Sequence, residues 1–449
     1  MKKRILLLLC VAWFRAMAQA PPTDVERRIA LLEARIAELE KLVAAQPAAA
    51  IASVVPAQPA PAVPVLGAVP APIPVTSAVQ RTAPAPPLIP VSVSGDYRTF
   101  PSTETRLPVA GYMDFHVNKD SGDPFRPDFH RFVLLFGHSF SDRIKFWSEF
   151  ELEHALVEGE EKSGEIALEQ AYLDFLITPK FNLRAGMVLA PVGIVNERHE
   201  PPSFNGVERP FVETLIIPTT WRELGMGVTG DLGRGFRYRG YITSQLDAAR
   251  FDAESGITEG RTQGFEASLR NPAKVGRFEY AGVRRLTLGT SFYTGHTGFN
   301  IPGINPRVDM YEFDGRYSVK RLDLRGLFAN TWVSRTGELN RRTQIQTGVN
   351  PNVASQMRGY YLEPAVHVFS RRASNDLILF TRYEKYNTQQ RMASGYLPLG
   401  EFNRSSWVTG ITYKPNADVA VKFDYVVNAN ESRLVRAVNG VNLGIGWWF

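Results

Sequence analysis

Apolar and polar residues alternate with a period of two along much of residues 105–449, which is typical of strands with one apolar face. In the clearest segment, Val421, Phe423 and Tyr425 alternate with Lys422 and Asp424. Sixteen segments share this pattern and are predicted as strands: 109–117, 129–139, 144–153, 167–177, 181–189, 223–231, 235–246, 262–270, 282–293, 310–319, 321–334, 358–369, 374–386, 405–414, 418–430 and 439–449.

The connections between these strands alternate in length. Short turns follow most even-numbered strands, whereas long connections follow odd-numbered ones, for example 118–128, 154–166, 190–222, 335–357 and 387–404. Short turns on one rim and long loops on the other are typical of outer-membrane barrels, and the 11% aromatic content suits their aromatic girdles. The pattern therefore predicts an all-β fold: a transmembrane antiparallel β-barrel of about sixteen strands over residues 105–449.

Residues 1–18 are predicted to be a secretory signal peptide. Lys2, Lys3 and Arg4 precede an apolar stretch over 5–14, and 16–18 has the small-residue cleavage pattern. The single cysteine, Cys10, lies inside this signal, so the mature chain has no thiol for a disulfide, a metal site or a nucleophile. The sequence contains no run of 18 apolar residues, so it predicts no transmembrane helix.

Two further segments precede the barrel. Residues 23–43 carry apolar residues at alternating steps of four and three, which predicts a short parallel coiled coil, with a lone amphipathic surface helix as the alternative. Three heptads are too few to hold chains together alone. Residues 47–97 contain 12 prolines among alanine and valine, and so predict an extended, disordered linker without a core.

Charge and motifs argue against other classes of function. Four of the 51 basic residues lie in the signal, which reduces the net charge from +6 to +2 in the mature chain and disfavours nucleic-acid binding. Gly225, Gly227 and Gly230 match a dinucleotide fingerprint, but they lie within a predicted strand that no helix follows. The histidines, with His154 and His199 isolated in sequence, show no metal-ligand spacing. We therefore expect no enzyme activity, no cofactor and no metal site.

A sixteen-stranded barrel leaves an aqueous lumen, so inward-facing charges and any constriction would set its selectivity. The loop 190–222 combines prolines with Phe204, Phe211 and Ile216, which is unusual for a mobile surface loop. We expect it to fold against the lumen wall as the constriction; the alternatives are an outer lid or a contact between protomers. The alternative to a selective lining is that the inward charges only make the lumen polar and pair with one another.

Several segments within 110–250 resemble the phosphate-selective porin O and P family: 129–153, Glu169-Gln170-Ala171-Tyr172-Leu173-Asp174-Phe175, Asn182-Leu183-Arg184-Ala185-Gly186, Val192-Gly193-Ile194 and Gly206-Val207-Glu208-Arg209. The resemblance implies a trimeric, sixteen-stranded anion channel with an arginine ladder in its lumen. Parity and this resemblance together give the pore-lining candidates Arg184, Arg198, His199, Arg209, Arg222, Arg237, Arg239, Arg321, Arg325 and Lys422.

The sequence thus predicts a homotrimeric porin of the bacterial outer membrane, surrounded by its lipids, through which small polar or anionic solutes diffuse, with a preference for anions or phosphate. The chain ends on Phe449 in an alternating strand, which resembles the signal read by the barrel assembly machinery. The alternative function is structural: a barrel that anchors the coiled coil, which would then tether the outer membrane to the cell wall or a periplasmic partner.

Overall fold

The computed structural model describes residues 110–154, 165–265, 267–369 and 374–449. The predicted signal (1–18), coiled coil (23–43) and linker (47–97) lie outside these residues, so they stay predictions.

Sixteen antiparallel strands form one closed barrel. They are β1 (Ala110–Asp120), β2 (Arg126–Ser139), β3 (Ile144–Glu153), β4 (Glu165–Thr178), β5 (Phe181–Leu189), β6 (Arg222–Gly233), β7 (Phe236–Thr243), β8 (Ala273–Tyr280), β9 (Leu286–His296), β10 (Arg307–Val319), β11 (Leu322–Val333), β12 (Gln356–His367), β13 (Asp376–Arg391), β14 (Asn403–Lys414), β15 (Val419–Asn430) and β16 (Gly440–Trp448). Each strand pairs with its neighbours in sequence, and β1 pairs with β16. The predicted fold class is confirmed.

Helical elements in the described residues are confined to the connections. The α-helix α1 (Thr336–Thr347) lies between β11 and β12. Single turns occur at Pro201–Ser203, Val212–Ile216, Ala248–Arg250, Thr258–Gly260 and Gly400–Phe402. None of the described helices has the length and apolar character needed to cross a membrane.

The C-terminal residue completes the closure of the barrel. Phe449 N–H donates to Gly111 O (2.9 Å), and Gly111 N–H donates to Phe449 O (3.0 Å). The Phe449 ring stacks on Phe132 with centroids 5.8 Å apart. The last residue therefore belongs to the seam between the first and last strands, while its role as an assembly signal stays a prediction.

The two faces of each strand differ in polarity. On β15, Phe423 and Tyr425 point outward and are 43% and 44% exposed, whereas Lys422 and Asp424 point inward and are buried. The same alternation was the basis for predicting the strand, because side chains of successive residues leave opposite faces of a sheet.

The predicted eighth strand, 262–270, is wrong. The structure places β8 at Ala273–Tyr280. Thr262 lies in the β7–β8 connection instead, where its backbone N–H and its hydroxyl donate to the Glu223 carboxylate of β6. The true strand was missed because its inward positions include the charged Arg277 and Glu279, which leaves Phe278 as its one large exposed apolar residue. Arg270, the last residue of the predicted strand, consequently lies outside any strand.

The rhythm of short and long connections is largely as predicted. Connections after β2, β4, β6 and β10 are tight, and the β6–β7 turn uses positive φ at Arg234 and Gly235, as a two-residue hairpin requires. One predicted long connection is wrong: β1 and β2 extend further than expected and leave only 121–125 between them. Ala110, the first described residue, and the C-terminal end of β16 both lie on the rim of the short turns.

Candidate pore-lining site

The connection between β5 and β6, residues 190–221, folds into the barrel. Its backbone and side chains contact strands on the far wall: Val207 N–H donates to Asp424 Oδ2 on β15 (2.6 Å), and Lys414 on β14 donates to Pro202 O (2.6 Å). Because β14 and β15 lie on the side of the closed barrel opposite β5 and β6, the loop spans the lumen. We call this segment the lumen loop.

Buried polar bonds give the lumen loop its shape. Glu213 Oε2 accepts from the N–H groups of Ile194 and Val195, both at 2.7 Å, and its Oε1 accepts from the Tyr361 hydroxyl at 2.7 Å. The base of the loop is closed by Asn196, whose side-chain oxygen accepts from Trp221 N–H (2.8 Å). These bonds satisfy backbone donors that would otherwise be buried without partners.

Apolar residues of the lumen loop pack against the inner wall. Ile216, Ile217 and Trp221 are fully buried in one cluster with Tyr293 and Met357 of the wall. The Trp221 ring lies 4.7 Å from the Tyr293 ring, centre to centre. This explains the apolar residues that the sequence places in a long connection: they form an internal core between loop and barrel.

One arginine organises the docking of the loop on β12 and β13. Arg382 is buried and donates to Glu384 Oε1 (2.7 Å) and Glu363 Oε2 (3.0 Å). The other oxygens of these carboxylates accept from the loop, Glu384 from Val212 N–H (3.0 Å) and Glu363 from Asn205 Nδ2 (2.9 Å). The cation therefore fixes two carboxylates that in turn hold the loop.

At the opposite wall the loop is held through His199. Its Nε2 lies 3.0 Å from Glu169 Oε2 and 3.0 Å from the Tyr112 oxygen, and its Nδ1 lies 3.0 Å from Asn196 O. Burial alone would lower the pKa of His199, but the charge and hydrogen bond of Glu169 outweigh it and raise this pKa. Burial raises the pKa of Glu213, and the hydrogen bonds to its carboxylate only partly oppose the rise.

The raised pKa of His199 predicts a pH dependence. Because the folded-state pKa is raised, protonated His199 contributes its full stabilisation below the ordinary histidine pKa of about 6.5, and this stabilisation is lost as pH rises through the folded-state pKa. The free energy of unfolding of the wild type should therefore exceed that of His199→Gln most at the acidic end, and the difference should shrink toward alkaline pH. Denaturant unfolding in detergent measures both; a difference that does not change with pH would contradict the account.

A second polar feature lies near the rim of the short turns. A cavity of about 220 Å³ is lined by Arg198, Arg237, Glu279, Arg285, Thr287, Arg316 and Ser318. Four arginines and one glutamate give this arginine pocket a formal charge of +3. Glu279 is engaged by Arg237 (2.9 Å) and Arg316 (3.6 Å), while Arg198 and Arg285 have no carboxylate within 4.0 Å among the described residues.

The structure unites two of the predicted candidates in this pocket, Arg198 of the lumen loop and Arg237 of β7. Several others point into the barrel but are paired with carboxylates. These pairs are Arg184 with Asp174 (2.7 Å), Arg239 with Glu197 (2.9 Å), Arg222 with Glu165 (3.3 Å) and Arg325 with Glu363 (4.0 Å). They form local ion pairs rather than a continuous row of free cations.

Three candidates have other surroundings. Arg209 donates to Thr220 Oγ1 (2.6 Å) within the lumen loop. Lys422 is buried with Nζ 3.9 Å from the centre of the Phe204 ring. Placing Arg321 in the lumen is wrong: it lies in the β10–β11 turn at the rim, where it donates to Val368 O (3.1 Å).

Sequence reasoning missed part of the site. Arg316 follows the inward parity of β10 and could have been found from it, but Arg285 lies in a turn and carries no periodic signal. His154 is isolated in sequence, but the fold brings its ring within 5.4 Å of the His130 ring, centre to centre, a contact that sequence spacing does not show.

A protein of Aquifex aeolicus (strain VF5), described as uncharacterized, is 39% identical over 334 residues, which cover 71% of this chain and 74% of the relative. The chain belongs to the family of this Aquifex protein. No family model matches the chain, so the resemblance to the phosphate-selective porin O and P family stays a prediction.

The barrel fold of this chain is similar to that of solved porins. OmpF of Salmonella typhi, solved with daunomycin, superposes with a TM-score of 0.51 at 13% identity and covers 76% of this chain and 97% of its own. The anion-selective porin of Comamonas acidovorans gives 0.48 at 13% identity, with 76% and 98% covered. The OmpF likeness shows the shared barrel fold.

Proposed function

We propose that the chain is an outer-membrane porin: a water-filled channel through which small hydrophilic solutes diffuse passively, with a preference for anions. The observation that carries the proposal is the opposite polarity of the two faces of a closed barrel. Large apolar side chains such as Phe278, Phe313 and Trp407 are more than half exposed on the outside, while the inner wall is dense in charge. Lipid suits the first face and water the second.

The lumen loop would be the constriction of this channel. It crosses the barrel and is held by buried bonds at both walls, through His199 on one side and the Arg382 network on the other. A rigid loop at this place narrows the aqueous path and presents Arg198 to it. Selectivity would then be decided where loop and wall come closest.

The preference for anions rests on the arginine pocket. Its charge of +3 is concentrated at one end of the lumen, where low-dielectric walls focus the field and raise the local concentration of anions. Arginine also offers paired donors that match carboxylate and phosphate oxygens. Phosphate is one of the small anions that this pocket would favour.

The trimeric state and the location in the outer membrane belong to the same proposal. The trimer is supported by the resemblance to the phosphate-selective porin O and P family together with the predicted coiled coil, which does not by itself specify a trimer. The location is supported by the predicted signal and by the apolar outer face of the barrel. In planar bilayers, a trimer should open in steps of three.

Removing Arg198 tests the anion preference. Because Arg198 pairs with no described carboxylate, Arg198→Ala should lower the positive charge without leaving an unpaired acid behind. The chloride-to-potassium permeability ratio, obtained from the reversal potential in a salt gradient, should fall by about a factor of two or more.

Arg307→Ala is the matched control, since Arg307 is exposed at the opposite rim and pairs with Asp309. It removes the same charge and should change the ratio far less. A cation-preferring wild type, or equal effects of the two variants, would refute the role of the pocket.

A further inference from the structure

Three histidines meet at the end of the barrel where the long connections emerge. His116 on β1 stacks on His130 of β2 with ring centres 4.6 Å apart, and His154, directly after β3, packs edge-on against His130 at 5.4 Å. The residues are distant in sequence, and only the pairing of β1, β2 and β3 brings them together.

Asp128 lies between two of these rings. Its Oδ2 is 3.4 Å from His130 Nδ1, and its Oδ1 is 3.0 Å from His154 Nδ1. One ligand atom from each of these three residues lies within 4.8 Å of the others. Ligands about 2.0–2.2 Å from a zinc ion lie on the order of 3.3 Å apart in a tetrahedral site, so small side-chain rotations suffice.

A second triad, Asp114, His116 and His130, shares one histidine with the first. Its carboxylate is already bound by a cation, because Arg131 Nε donates to Asp114 Oδ1 at 3.1 Å. Both ring nitrogens of His116 are also occupied, one 3.0 Å from Asp114 and the other 3.1 Å from Glu208. The neighbouring guanidinium disfavours a metal ion there.

The first triad, Asp128, His130 and His154, is free of these constraints and open to solvent. The side chain of His154 is 52% exposed and that of Asp128 is 36% exposed. Glu153 Oε1 lies 3.9 Å from His130 Nε2, the ring nitrogen that would not bind the ion, and would have to move closer to orient the metal-bound imidazole by a hydrogen bond. No described cation pairs with Asp128 apart from the two histidines.

We propose that Asp128, His130 and His154 form a binding site for a divalent transition-metal ion of the zinc type. Two imidazoles and one carboxylate are ligands that zinc and its neighbours in the first row prefer, whereas calcium and magnesium prefer oxygen alone. The site lies at the mouth of the barrel, with further coordination positions left for water or a solute.

Calorimetric titration of the refolded full chain with Zn²⁺ tests the proposal. The wild type should bind one ion at this site. His154→Ala and the isosteric Asp128→Asn should each weaken binding by about tenfold or more, because each loses one of three protein ligands. His138→Ala is the control: His138 lies near the opposite end of β2 and contacts Phe140, so its loss should leave the affinity unchanged.

Three results would overturn the site: no zinc binding by the folded wild type, unchanged affinity in both His154→Ala and Asp128→Asn, or loss of binding in His116→Ala alone. Heat-modifiable migration shows that each variant is folded. The titration measures binding and requires no conductance, so its outcome is separate from that of the proposed channel.

Discussion

Glu213→Ala is expected to release the lumen loop and to lower the free energy of unfolding by about 3 kcal/mol. The substitution leaves the buried N–H groups of Ile194 and Val195 and the Tyr361 hydroxyl without their acceptor, and each unsatisfied buried group costs about 1–3 kcal/mol. A loop that leaves the lumen also widens the aqueous path. We therefore expect the free energy of unfolding, measured by urea unfolding in detergent, to fall and the single-channel conductance to rise.

Two further variants separate this effect from general damage. Glu213→Gln keeps an oxygen for the two backbone donors and an NH₂ group for the Tyr361 oxygen, so it should retain much of the stability. Glu254→Ala removes a carboxylate from an exposed part of the β7–β8 connection and should behave like the wild type. Unchanged stability and conductance in Glu213→Ala would show that this carboxylate does not hold the loop.

Arg382→Ala is expected to have an effect of similar or greater size. Glu363 and Glu384 are almost fully buried; without Arg382, Glu384 loses its cation and Glu363 keeps only the more distant Arg325 at 4.0 Å. Breaking a buried ion pair by removing one partner costs about 3–5 kcal/mol, because an uncompensated charge is left behind. Denaturant unfolding measures the loss, and conductance shows whether the loop segments around Asn205 and Val212 also leave the wall.

The double variant Arg382→Met with Glu384→Gln provides the decisive comparison. If the two residues interact as the structure shows, the double variant should lose clearly less free energy of unfolding than the sum of the losses in Arg382→Met alone and Glu384→Gln alone. Arg382→Lys keeps the charge but not the geometry of two separate donors, and so should be intermediate. Additive losses, or a loss below about 1 kcal/mol in Arg382→Ala, would contradict the network.

The barrel itself could be predicted because its signal is local. In β15 the alternation of Phe423 and Tyr425 with Lys422 and Asp424 gives the faces directly, since a strand repeats every two residues. The signal weakens where the lumen imposes its own chemistry. In β8, Arg277 and Glu279 occupy inward positions and little apolar contrast remains, so the strand was placed about ten residues too early.

The site was less predictable because parity gives the side of a residue and not its partner. Arg184 does face inward, but the register of β4 and β5 places Asp174 directly opposite, which neutralises it. Arg198 has no periodic position at all, and only the path of the lumen loop brings it to Arg237 and Arg316. The histidine cluster is a similar case, since it depends on contacts between three strands.

Single-channel recording of the refolded chain in a planar bilayer tests whether a narrow aqueous channel runs past the lumen loop. We expect discrete openings with a reversal potential that favours anions, and larger openings in Glu213→Ala. A folded, heat-modifiable barrel that never opens would contradict this expectation, and the predicted role as an anchor for the coiled coil would then be the better explanation.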